Sequence, residues 1–445
     1  MTTAVRSDGL AAVRFTGRIA DLDAGERARL IARSSTTSAE VTDTVARIIA
    51  DVRARGDEAL RASARQFEGV QLDTLEVPAR DVRRALDSLE PDARRALDRA
   101  ATNIASVQRA FAPRATETCP EPGIVVGRRP DPLQHVGIYA PGGRAVYPSS
   151  VLMAAIPARI AGVPEVILAS PPRRTGGGRP ADAVLAAAAL AGVDRVFALG
   201  GAGAIAAMAL GTRSVPRVDR VVGPGNAYVA AAKVALSSEV GIDCAAGPSE
   251  LLIIADASVC ATRIVDEMVA QAEHDPHACV VAVLLDANRA LPRDVERELT
   301  SRLASVPRRD IVRQALLSSG AIVVADSLDE AVAFANEYAP EHLLLALRDA
   351  DAVLSRIRCA GTVFIGPSTS VAFGDYMTGA NHVLPTGGSA RWSSGLSPLD
   401  FVRWTTWQRV DQCAAASLAP DVALLARFED LPSHARAARS AGGAP

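Results

Sequence analysis

The sequence predicts an α/β protein in which two parallel-sheet lobes are joined to a helical N-terminal region and a helical C-terminal tail. Three observations support this prediction. Apolar residues recur at helical spacing in the first third of the chain, short apolar strands alternate with alanine-rich helices from residue 136, and helical spacing returns after residue 399. The strand–helix–strand order implies parallel sheets with right-handed crossovers.

Two helical regions are predicted in the first third, at residues 39–67 and 79–111. Both have apolar residues at helical spacing, with arginines and acidic residues between them. Gly56 and Pro91 are expected to divide these regions, because glycine is unfavourable in a helix interior and proline cannot donate the hydrogen bond that an interior position requires.

Eight buried strands are predicted in the rest of the chain. They lie at residues 165–169, 195–199, 217–222, 251–255, 279–285, 321–325, 343–347 and 362–365. This number of strands fits two lobes better than one, since 445 residues exceed what a single core usually accommodates. Residues 171–180, rich in Pro, Gly and Arg, are expected to form a surface loop.

The charge balance argues against a nucleic acid or an anionic membrane surface as the main partner, because the formal net charge is only -2. Residues 1–15 lack the apolar core of a signal peptide. The long apolar stretch at 181–210 is interrupted by Asp194, Arg195 and glycines, so no membrane span is predicted. The six cysteines include no C-x-x-C pair. We therefore expect a cytoplasmic protein with reduced, mostly buried thiols.

Glycine turns connect predicted strands to helices, with VFALGGAG at 196–203 and VVGPGN at 221–226. A strand, a glycine turn and a helix N-terminus together can seat a phosphate. Neither turn has the complete G-x-G-x-x-G fingerprint, so we interpret the lobes as incomplete Rossmann-like units. Tight packing without a ligand explains these glycines equally well. A third turn, YAPGG at 139–143, begins with Tyr139, whose ring could stack on a ligand.

Gln271 and His274 end a predicted helix and are three residues apart, so they project from the same side. A glutamine oxygen and an imidazole nitrogen can both bind a metal of the zinc type, although glutamine is an uncommon ligand. On spacing alone, a histidine that caps a polar helix end is the more ordinary explanation.

Glu341 and His342 stand immediately before a predicted buried strand. A carboxylate beside an imidazole is a candidate for general acid/base chemistry. Within a regular strand the two side chains would face opposite sides, so we expect the pair at the beginning of the strand. Asp375 and His382 follow in a segment punctuated by glycines, and such loops often hold catalytic groups.

Several longer segments resemble the histidinol dehydrogenase family, in order along nearly the whole chain. They are VGIYAPGG at 136–143, YPSSVLMAAIPARIAGVP at 147–164, VGPGNAYV at 222–229, AGPSE at 246–250, QAEHDP at 271–276, NEYAPEHL at 336–343, GDY at 374–376, NHVLPTGG at 381–388 and SSGLSPLDF at 393–401. Several of these segments are too long for coincidence.

The resemblance implies one Zn²⁺ per subunit, with ligands that fall on Gln271, His274, Asp375 and His434. Glu429 lies in a segment similar to the family's closing motif, where a glutamate touches substrate. Read without the resemblance, this tail is an ordinary amphipathic helix. The family's tail reaches the partner subunit, which implies an intertwined homodimer.

The resemblance also assigns the acid/base pair to Glu341 and His342. The matched substrate-binding positions are Ser149, Ser249, Gln271, His274, His342, Asp375, His382, Glu429 and His434. The matched NAD contacts are Tyr139, Asn226 and the position of Gly203. The implied reaction is the zinc-dependent, four-electron oxidation of L-histidinol through L-histidinal to L-histidine with two NAD⁺, the last steps of histidine biosynthesis.

These assignments suggest a division of the chain. We expect an N-terminal arm at 1–30, a discontinuous first lobe at 31–137 and 249–396 on the zinc and substrate side, a second lobe at 138–248 on the NAD side, and a helical tail at 397–445 that contributes to the partner subunit.

Two positions depart from the family pattern. Gly203 stands where the family commonly has a glutamine that contacts NAD, so this contact is missing or supplied elsewhere. The stretch TSVAF at 369–373 lacks the Pro-Glu usually found before the zinc aspartate. It is similar to relatives that oxidise other small alcohols, so a paralogous zinc/NAD dehydrogenase of the sulfopropanediol type remains an alternative. Glu429 and His434 favour histidinol.

Two other classes of function also remain open. Zinc, glutamate and histidine suit a zinc hydrolase, which the glycine turns with Tyr139 and Asn226 disfavour. A non-catalytic binding or scaffold protein would not need four candidate metal ligands beside an acid/base pair. NAD dependence distinguishes the dehydrogenase from both.

Overall fold

The structure is a computed structural model that describes residues 12–33, 38–142, 146–244, 247–285 and 290–443. Its strands are β1 (Phe15–Arg18), β2 (Glu76–Val77), β3 (Thr116–Thr118), β4 (Ile124–Pro132), β5 (His135–Tyr139), β6 (Glu165–Ser170), β7 (Arg195–Ala198), β8 (Arg220–Val222), β9 (Gly241–Ile242), β10 (Glu250–Asp256), β11 (Cys279–Leu285), β12 (Gly320–Val324), β13 (His342–Ala346), β14 (Thr362–Ile365) and β15 (Val402–Val410).

Its α-helices are α1 (Ala24–Ile31), α2 (Ala39–Arg55), α3 (Asp57–Ser63), α4 (Ala79–Asp87), α5 (Pro91–Ala110), α6 (Pro148–Ala161), α7 (Asp182–Leu190), α8 (Gly201–Leu210), α9 (Ala227–Ala235), α10 (Ala261–Ala272), α11 (Ala290–Arg302), α12 (Arg309–Ser319), α13 (Leu328–Tyr338), α14 (Ala350–Leu354), α15 (Val371–Tyr376), α16 (Gln412–Phe428) and α17 (Pro432–Ala441). A short π-helix, Ala64–Glu68, continues α3.

The first sheet is parallel, with the strand order β1-β12-β11-β10-β13-β14. Its central strands are apolar on both faces because helices cover both sides, and a hydrophobic cluster lies on each face. The strand order reverses between β10 and β13. The two strands that begin at Glu250 and at His342 are therefore neighbours.

The second sheet has the strand order β2-β7-β6-β5-β8-β9 and is parallel except for the short edge strand β2. Its order reverses between β5 and β8. In open α/β sheets a reversal of this kind opens a crevice at the carboxyl ends of the strands, where ligands commonly bind. The three glycine turns follow β5, β7 and β8 at this edge.

The predicted elements agree closely with the observed ones. All eight predicted strands exist, and no bound differs from the prediction by more than three residues. Gly56 separates α2 from α3, and Pro91 is the first residue of α5. The α/β class with two parallel-sheet lobes is confirmed.

The packing of the N-terminal segments differs from the expected division of the chain. Residues 31–137 were assigned to the first lobe, but helices α2 to α5 bury Val45, Leu60 and Ile104 in the core of the second sheet. The segment expected to be an arm contains β1, which pairs with β12 in the first sheet. Helical periodicity shows that a helix has a buried face, but it does not show which sheet covers that face.

The tail is not entirely helical as expected, because it begins with β15. This strand pairs with β4, which also pairs with β3, in a separate antiparallel sheet. Trp407 lies opposite Gly127 in this ladder, and a Cβ at position 127 would stand 2.4 Å from the indole ring. Glycine at position 127 therefore leaves the space that the Trp407 ring occupies.

The last two helices, α16 and α17, pack on each other around a small cluster of Ala423, Ala426 and Ala435 that is separate from the cores of the two lobes. No helix within the described ranges has the length and apolarity needed to cross a membrane.

Candidate functional site

The acid/base candidates lie at the amino edge of the first sheet, as expected for a pair at the beginning of a strand. His342 is the first residue of β13 and pairs with Leu251 of β10. Gln271 lies in the last turn of α10, a helix that returns the chain from the carboxyl end of β10 to this same edge. Parallel connections thus bring residues distant in sequence to one place.

Glu341 is buried and accepts two short hydrogen bonds on Oε2. The donors are Ser249 Oγ at 2.7 Å and the backbone N–H of Glu250 at 2.6 Å. Gln271 Nε2 donates to Ser249 Oγ at 2.6 Å, so the amide, the hydroxyl and the carboxylate form a chain. Burial works to raise the pKa of Glu341, but the charge of His342 and these hydrogen bonds lower it below its ordinary value.

His342 has one occupied and one free ring nitrogen. Its Nδ1 lies 3.0 Å from the backbone oxygen of Glu250 and 3.3 Å from Glu341 Oε2. Its buried Nε2 has no hydrogen-bond partner among the described residues and stands 3.7 Å from Asp375 Oδ1. Burial works to lower the pKa of His342, but the carboxylates of Glu341 and Asp375 outweigh it and raise the pKa to about 9.

Glu250 supports this pair, although no pattern in the sequence indicated that role. Its backbone N–H and C=O contact Glu341 and His342, while its carboxylate receives a two-pronged contact from Arg33 at 3.0 Å to each oxygen. Arg33 also stacks 3.3 Å from the ring centre of Tyr338. Burial raises the pKa of Glu250, and the charge of Arg33 opposes this shift. An arginine 217 residues away in sequence gives no local signal for such a contact.

Two of the four candidate metal ligands, Gln271 and Asp375, border the Glu341–His342 pair. Gln271 connects to Glu341 through Ser249, and Asp375 stands beside His342. His274 follows Gln271 by one helical turn. Within the described part of a single chain, no three His, Cys, Asp or Glu side chains form a metal cluster. The fourth candidate, His434, is exposed on α17.

The segment that departs from the family pattern is held by α10. Val371 N–H donates to Glu267 Oε2 at 3.1 Å, and the Arg263 guanidinium donates to the Thr369 backbone oxygen at 3.0 Å. The start of α15, the helix that contains Asp375, is therefore anchored to the helix that contains Gln271 without the missing Pro-Glu pair.

His382 lies between the two lobes. Its Nδ1 is 2.8 Å from the backbone oxygen of Asp375, and its Nε2 is 3.1 Å from Ser150 Oγ at the beginning of α6. Burial lowers the pKa of His382, although the charge of Asp375 opposes this shift. Ser149, the neighbouring serine that was matched to a substrate-binding position, is also buried at the beginning of α6.

The predicted cofactor residues lie at the carboxyl edge of the second sheet. Tyr139 ends β5, and its hydroxyl oxygen accepts the N–H of Gly201 at 3.1 Å. Burial raises the pKa of Tyr139 to about 12. Asn226 caps α9 by accepting the N–H groups of Tyr228 and Val229, both at 3.1 Å.

Gly203 lies in the first turn of α8, on the side that faces the N-terminal helices. A Cβ at this position would stand 3.5 Å from Leu60 and 4.0 Å from Ile48. The observed helix packing is therefore close enough that a longer side chain would have to extend past these residues.

Glu68 is an acidic residue beside the glycine turn at 196–203. No pattern in the sequence indicated this residue. It ends the π-helix, and its Oε1 lies only 2.3 Å from where a Cβ of Gly200 would stand. Burial raises the pKa of Glu68 to about 7. A carboxyl group that titrates near neutral pH therefore borders the turn that precedes α8.

Comparison with known proteins identifies the family. The model of the histidinol dehydrogenase family matches residues 31–441. The chain belongs to the histidinol dehydrogenase family. A histidinol dehydrogenase of Methanosarcina mazei is 44% identical over 427 residues, which cover 96% of this chain and 97% of that relative. Another from Natronomonas pharaonis is 46% identical over 420 residues, which cover 94% of this chain and 97% of that protein.

The architecture agrees with this assignment. The crystal structure of a histidinol dehydrogenase from Elizabethkingia anophelis superposes with a TM-score of 0.91 at 32% identity, covering 97% of this chain and 98% of that one. The histidinol dehydrogenase family match includes both edges described above and the C-terminal helices.

We predict that Glu250→Gln destabilises this histidinol dehydrogenase family member strongly. The substitution leaves the Arg33 charge buried without its carboxylate, a change that typically costs about 3–5 kcal/mol. The measurement is the free energy of unfolding in urea. Glu337→Gln is the matched control, because its ion pair with Arg27 is partly exposed and should matter far less. Equal losses in the two variants would contradict the prediction.

A second prediction concerns Glu68→Gln. The folded-state pKa of Glu68 is about 7, above the ordinary value of 4.5, because burial disfavours the charged carboxylate. The folded protein therefore loses stability as the pH rises from 4.5 through 7. The neutral glutamine should therefore raise Tm at pH 8 and raise it less at pH 5. Glu117→Gln, on an exposed strand, is the control. If the Tm difference between Glu68→Gln and the unaltered protein did not change with pH, the burial of a charged carboxylate at Glu68 would be disproved.

Proposed function

We propose that the chain is a zinc-dependent, NAD-linked L-histidinol dehydrogenase of the cytoplasm, which oxidises L-histidinol through L-histidinal to L-histidine. The observation that best supports this proposal is the free Nε2 of His342. A buried imidazole nitrogen without a partner, beside a carboxylate, is suited to accept a proton from a bound hydroxyl group. Family membership directs the choice of substrate.

The candidate zinc ligands have the donor chemistry that zinc prefers, namely imidazole nitrogen and carboxylate or amide oxygen. Gln271, His274 and Asp375 of one chain, with His434 of a second copy, would hold the ion. When bound, zinc would act as a Lewis acid and as a template for the imidazole and amino groups of the substrate. Ser149, Ser249 and His382, with Glu429 of the second copy, would complete the substrate pocket.

In the first oxidation, the neutral form of His342 accepts the hydroxyl proton of the alcohol at Nε2. Because the pKa of His342 is raised to about 9, the fraction in this neutral form increases as the pH rises toward that value. Glu341, in contact with Nδ1, stabilises the imidazolium ion that forms, as the carboxylate does in other acid/base pairs. As the oxygen loses its proton, the carbon that bears this oxygen loses a hydride. The product is therefore an aldehyde.

In the second oxidation, Glu341 activates the water that attacks the aldehyde. The charge of His342, with the hydrogen bonds from Ser249 and Glu250, lowers the pKa of this carboxyl against the effect of burial, so it is ionised and able to accept a proton at neutral pH. The aldehyde hydrate then loses a second hydride and becomes the carboxylate of histidine.

The second sheet would bind the hydride acceptor, NAD. Tyr139, Asn226 and the turn that contains Gly203 line the edge where a dinucleotide commonly binds in such sheets. Each turnover of histidinol needs two hydride acceptors, so two NAD molecules are used in succession.

The C-terminal helices support a homodimer. Their small alanine cluster gives α16 and α17 little core of their own, and Leu425 and Phe428 are exposed. A second copy would cover these side chains, and the exchange of tails would bring His434 and Glu429 to the partner's site. The dimer would then be intertwined, with each site built from two chains.

A cysteine nucleophile is disfavoured. All six cysteines are free, and three of them are exposed, so the expectation of mostly buried thiols was wrong. Burial and the charge of Asp243 raise the pKa of Cys244 to about 12. A thiol this weakly acidic is not a thiolate at neutral pH.

The decisive test supplies zinc-loaded protein with L-histidinol and NAD and identifies the product. About two NADH per histidine are expected, because a four-electron oxidation needs two hydride acceptors. Turnover only on another small alcohol would favour the paralogous dehydrogenase, which Gly203 and the stretch 369–373 keep as the second candidate. Hydrolysis without NAD would favour the zinc hydrolase.

We predict that His342→Ala lowers kcat about 10²- to 10⁴-fold, the usual contribution of a positioned base. Zinc content, measured by atomic absorption, should stay at the wild-type level because His342 is not a proposed ligand. His277→Ala, an exposed histidine in the same lobe, is the control and should keep full activity. Near-normal turnover of His342→Ala would remove this residue from the mechanism.

We predict that Glu341→Gln slows oxidation of L-histidinal more than oxidation of L-histidinol, because only the aldehyde step requires activated water. Single-turnover rates with each substrate measure the two steps separately. Equal losses on both would refute the proposed division of roles between Glu341 and His342.

A further inference from the structure

Lys233 is the only lysine in a sequence whose other strongly basic residues are all arginine. Its side chain lies in α9 and is 1% exposed. A buried ammonium group in a chain that otherwise uses guanidinium groups indicates that this position needs a compact cation, since the two groups differ in size and in geometry. The proposed reaction gives Lys233 no role.

The ammonium group and one carboxylate enclose a single glycine. Lys233 Nζ donates to the backbone oxygen of Gly223 at 2.9 Å and forms an ion pair with Asp243. Asp243 Oδ2 accepts the backbone N–H of the same Gly223 at 2.8 Å. Both backbone groups of Gly223 are therefore fixed by the two halves of one buried ion pair.

Gly223 begins the glycine turn that follows β8, and its position is narrowly constrained. Its φ is +114°, and a Cβ here would lie 2.2 Å from the backbone oxygen of Tyr139. Three residues later, Asn226 caps α9, the same helix that contains Lys233. The ion pair thus sets the turn between two of the candidate NAD contacts, Tyr139 and Asn226.

Stability alone gives no strong reason for such a pair. The desolvation of two buried charges offsets most of their attraction, and well-packed apolar residues often stabilise a core as well. Charged partners that meet both the N–H and the C=O of one residue do, however, fix the orientation of that peptide. The arrangement therefore suits a position where backbone geometry matters for binding.

We propose that Lys233 and Asp243 are positioning residues that hold residues 223–226 in the conformation that binds the dinucleotide. This inference rests on the proposed use of NAD and adds to it a pair of residues that do not touch the cofactor. It requires that loss of either charge weakens NAD binding while the acid/base chemistry at the other lobe continues.

The first experiment uses Lys233→Met, Asp243→Asn and the double variant in the zinc-loaded full-length enzyme. Each single change should raise KM for NAD about 10- to 100-fold, the effect of losing a hydrogen bond to a charged group. KM for L-histidinol and kcat at saturating NAD should change little. The double variant should be no worse than the singles, because the two residues act as one unit.

Glu239→Gln is the matched control, because this residue lies four positions before Asp243 and its ion pair with Arg53 is exposed. It should keep the wild-type KM for NAD. A folded Lys233→Met with unchanged KM for NAD would overturn the inference. A lower kcat together with a raised KM for both NAD and L-histidinol would also overturn it, since it would indicate a general structural role.

The second experiment uses the unaltered protein, so it does not depend on how the variants fold. Lys233 holds the only side-chain amine, so acetylation by acetic anhydride followed by peptide mass spectrometry reports on this site directly. We expect slow acetylation that NAD slows further and that L-histidinol alone does not affect. An acetylation rate unchanged by saturating NAD would overturn the inference.

These outcomes separate the inference from the proposed function. Absence of NAD binding by calorimetry would remove the proposed function and this inference with it. Normal NAD reduction combined with wild-type KM values in the Lys233 and Asp243 variants would remove the inference alone.

Discussion

The acid/base pair depends on one residue, Glu250, which contacts it through the main chain and anchors it through the side chain. Its N–H binds Glu341, its C=O binds His342, and its carboxylate binds Arg33 near the N-terminus. Because a buried charge is tolerated only with its partner, the ion pair and the site form one unit. Arg33, near the N-terminus, therefore supports a site whose other residues lie more than 200 positions later in the sequence.

The site lies where opposite edges of two sheets meet. The first sheet supplies its amino edge, with Glu341, His342 and Gln271, whereas the second supplies its carboxyl edge and its glycine turns. His382 connects them by contacting Ser150 of one lobe and the backbone of Asp375 in the other. This arrangement suits a reaction with two large reactants, because each lobe can hold one of them.

Much of this organisation could be predicted from local patterns. Apolar runs predicted eight strands of the two six-stranded sheets, but not β1, β2, β5 and β9. Gly56 and Pro91 marked helix boundaries because their backbone limits act locally. The antiparallel sheet formed by β3, β4 and β15 was missed, since its exposed strands lack an apolar run. The support by Arg33 and Glu250 was missed because it joins distant segments.

Backbone groups of Glu250 hold the acid/base pair, and this limits how the site can change during evolution. Apart from proline, which lacks the N–H, no substitution at Glu250 removes the backbone N–H or C=O that contacts the acid/base pair. A slip of one residue between β10 and β13 would break both and would also exchange the leucines of β13 between the two buried faces of the sheet. The geometry of the proposed acid/base pair is thus inherited together with the strand register of the core, and selection for a folded protein protects both.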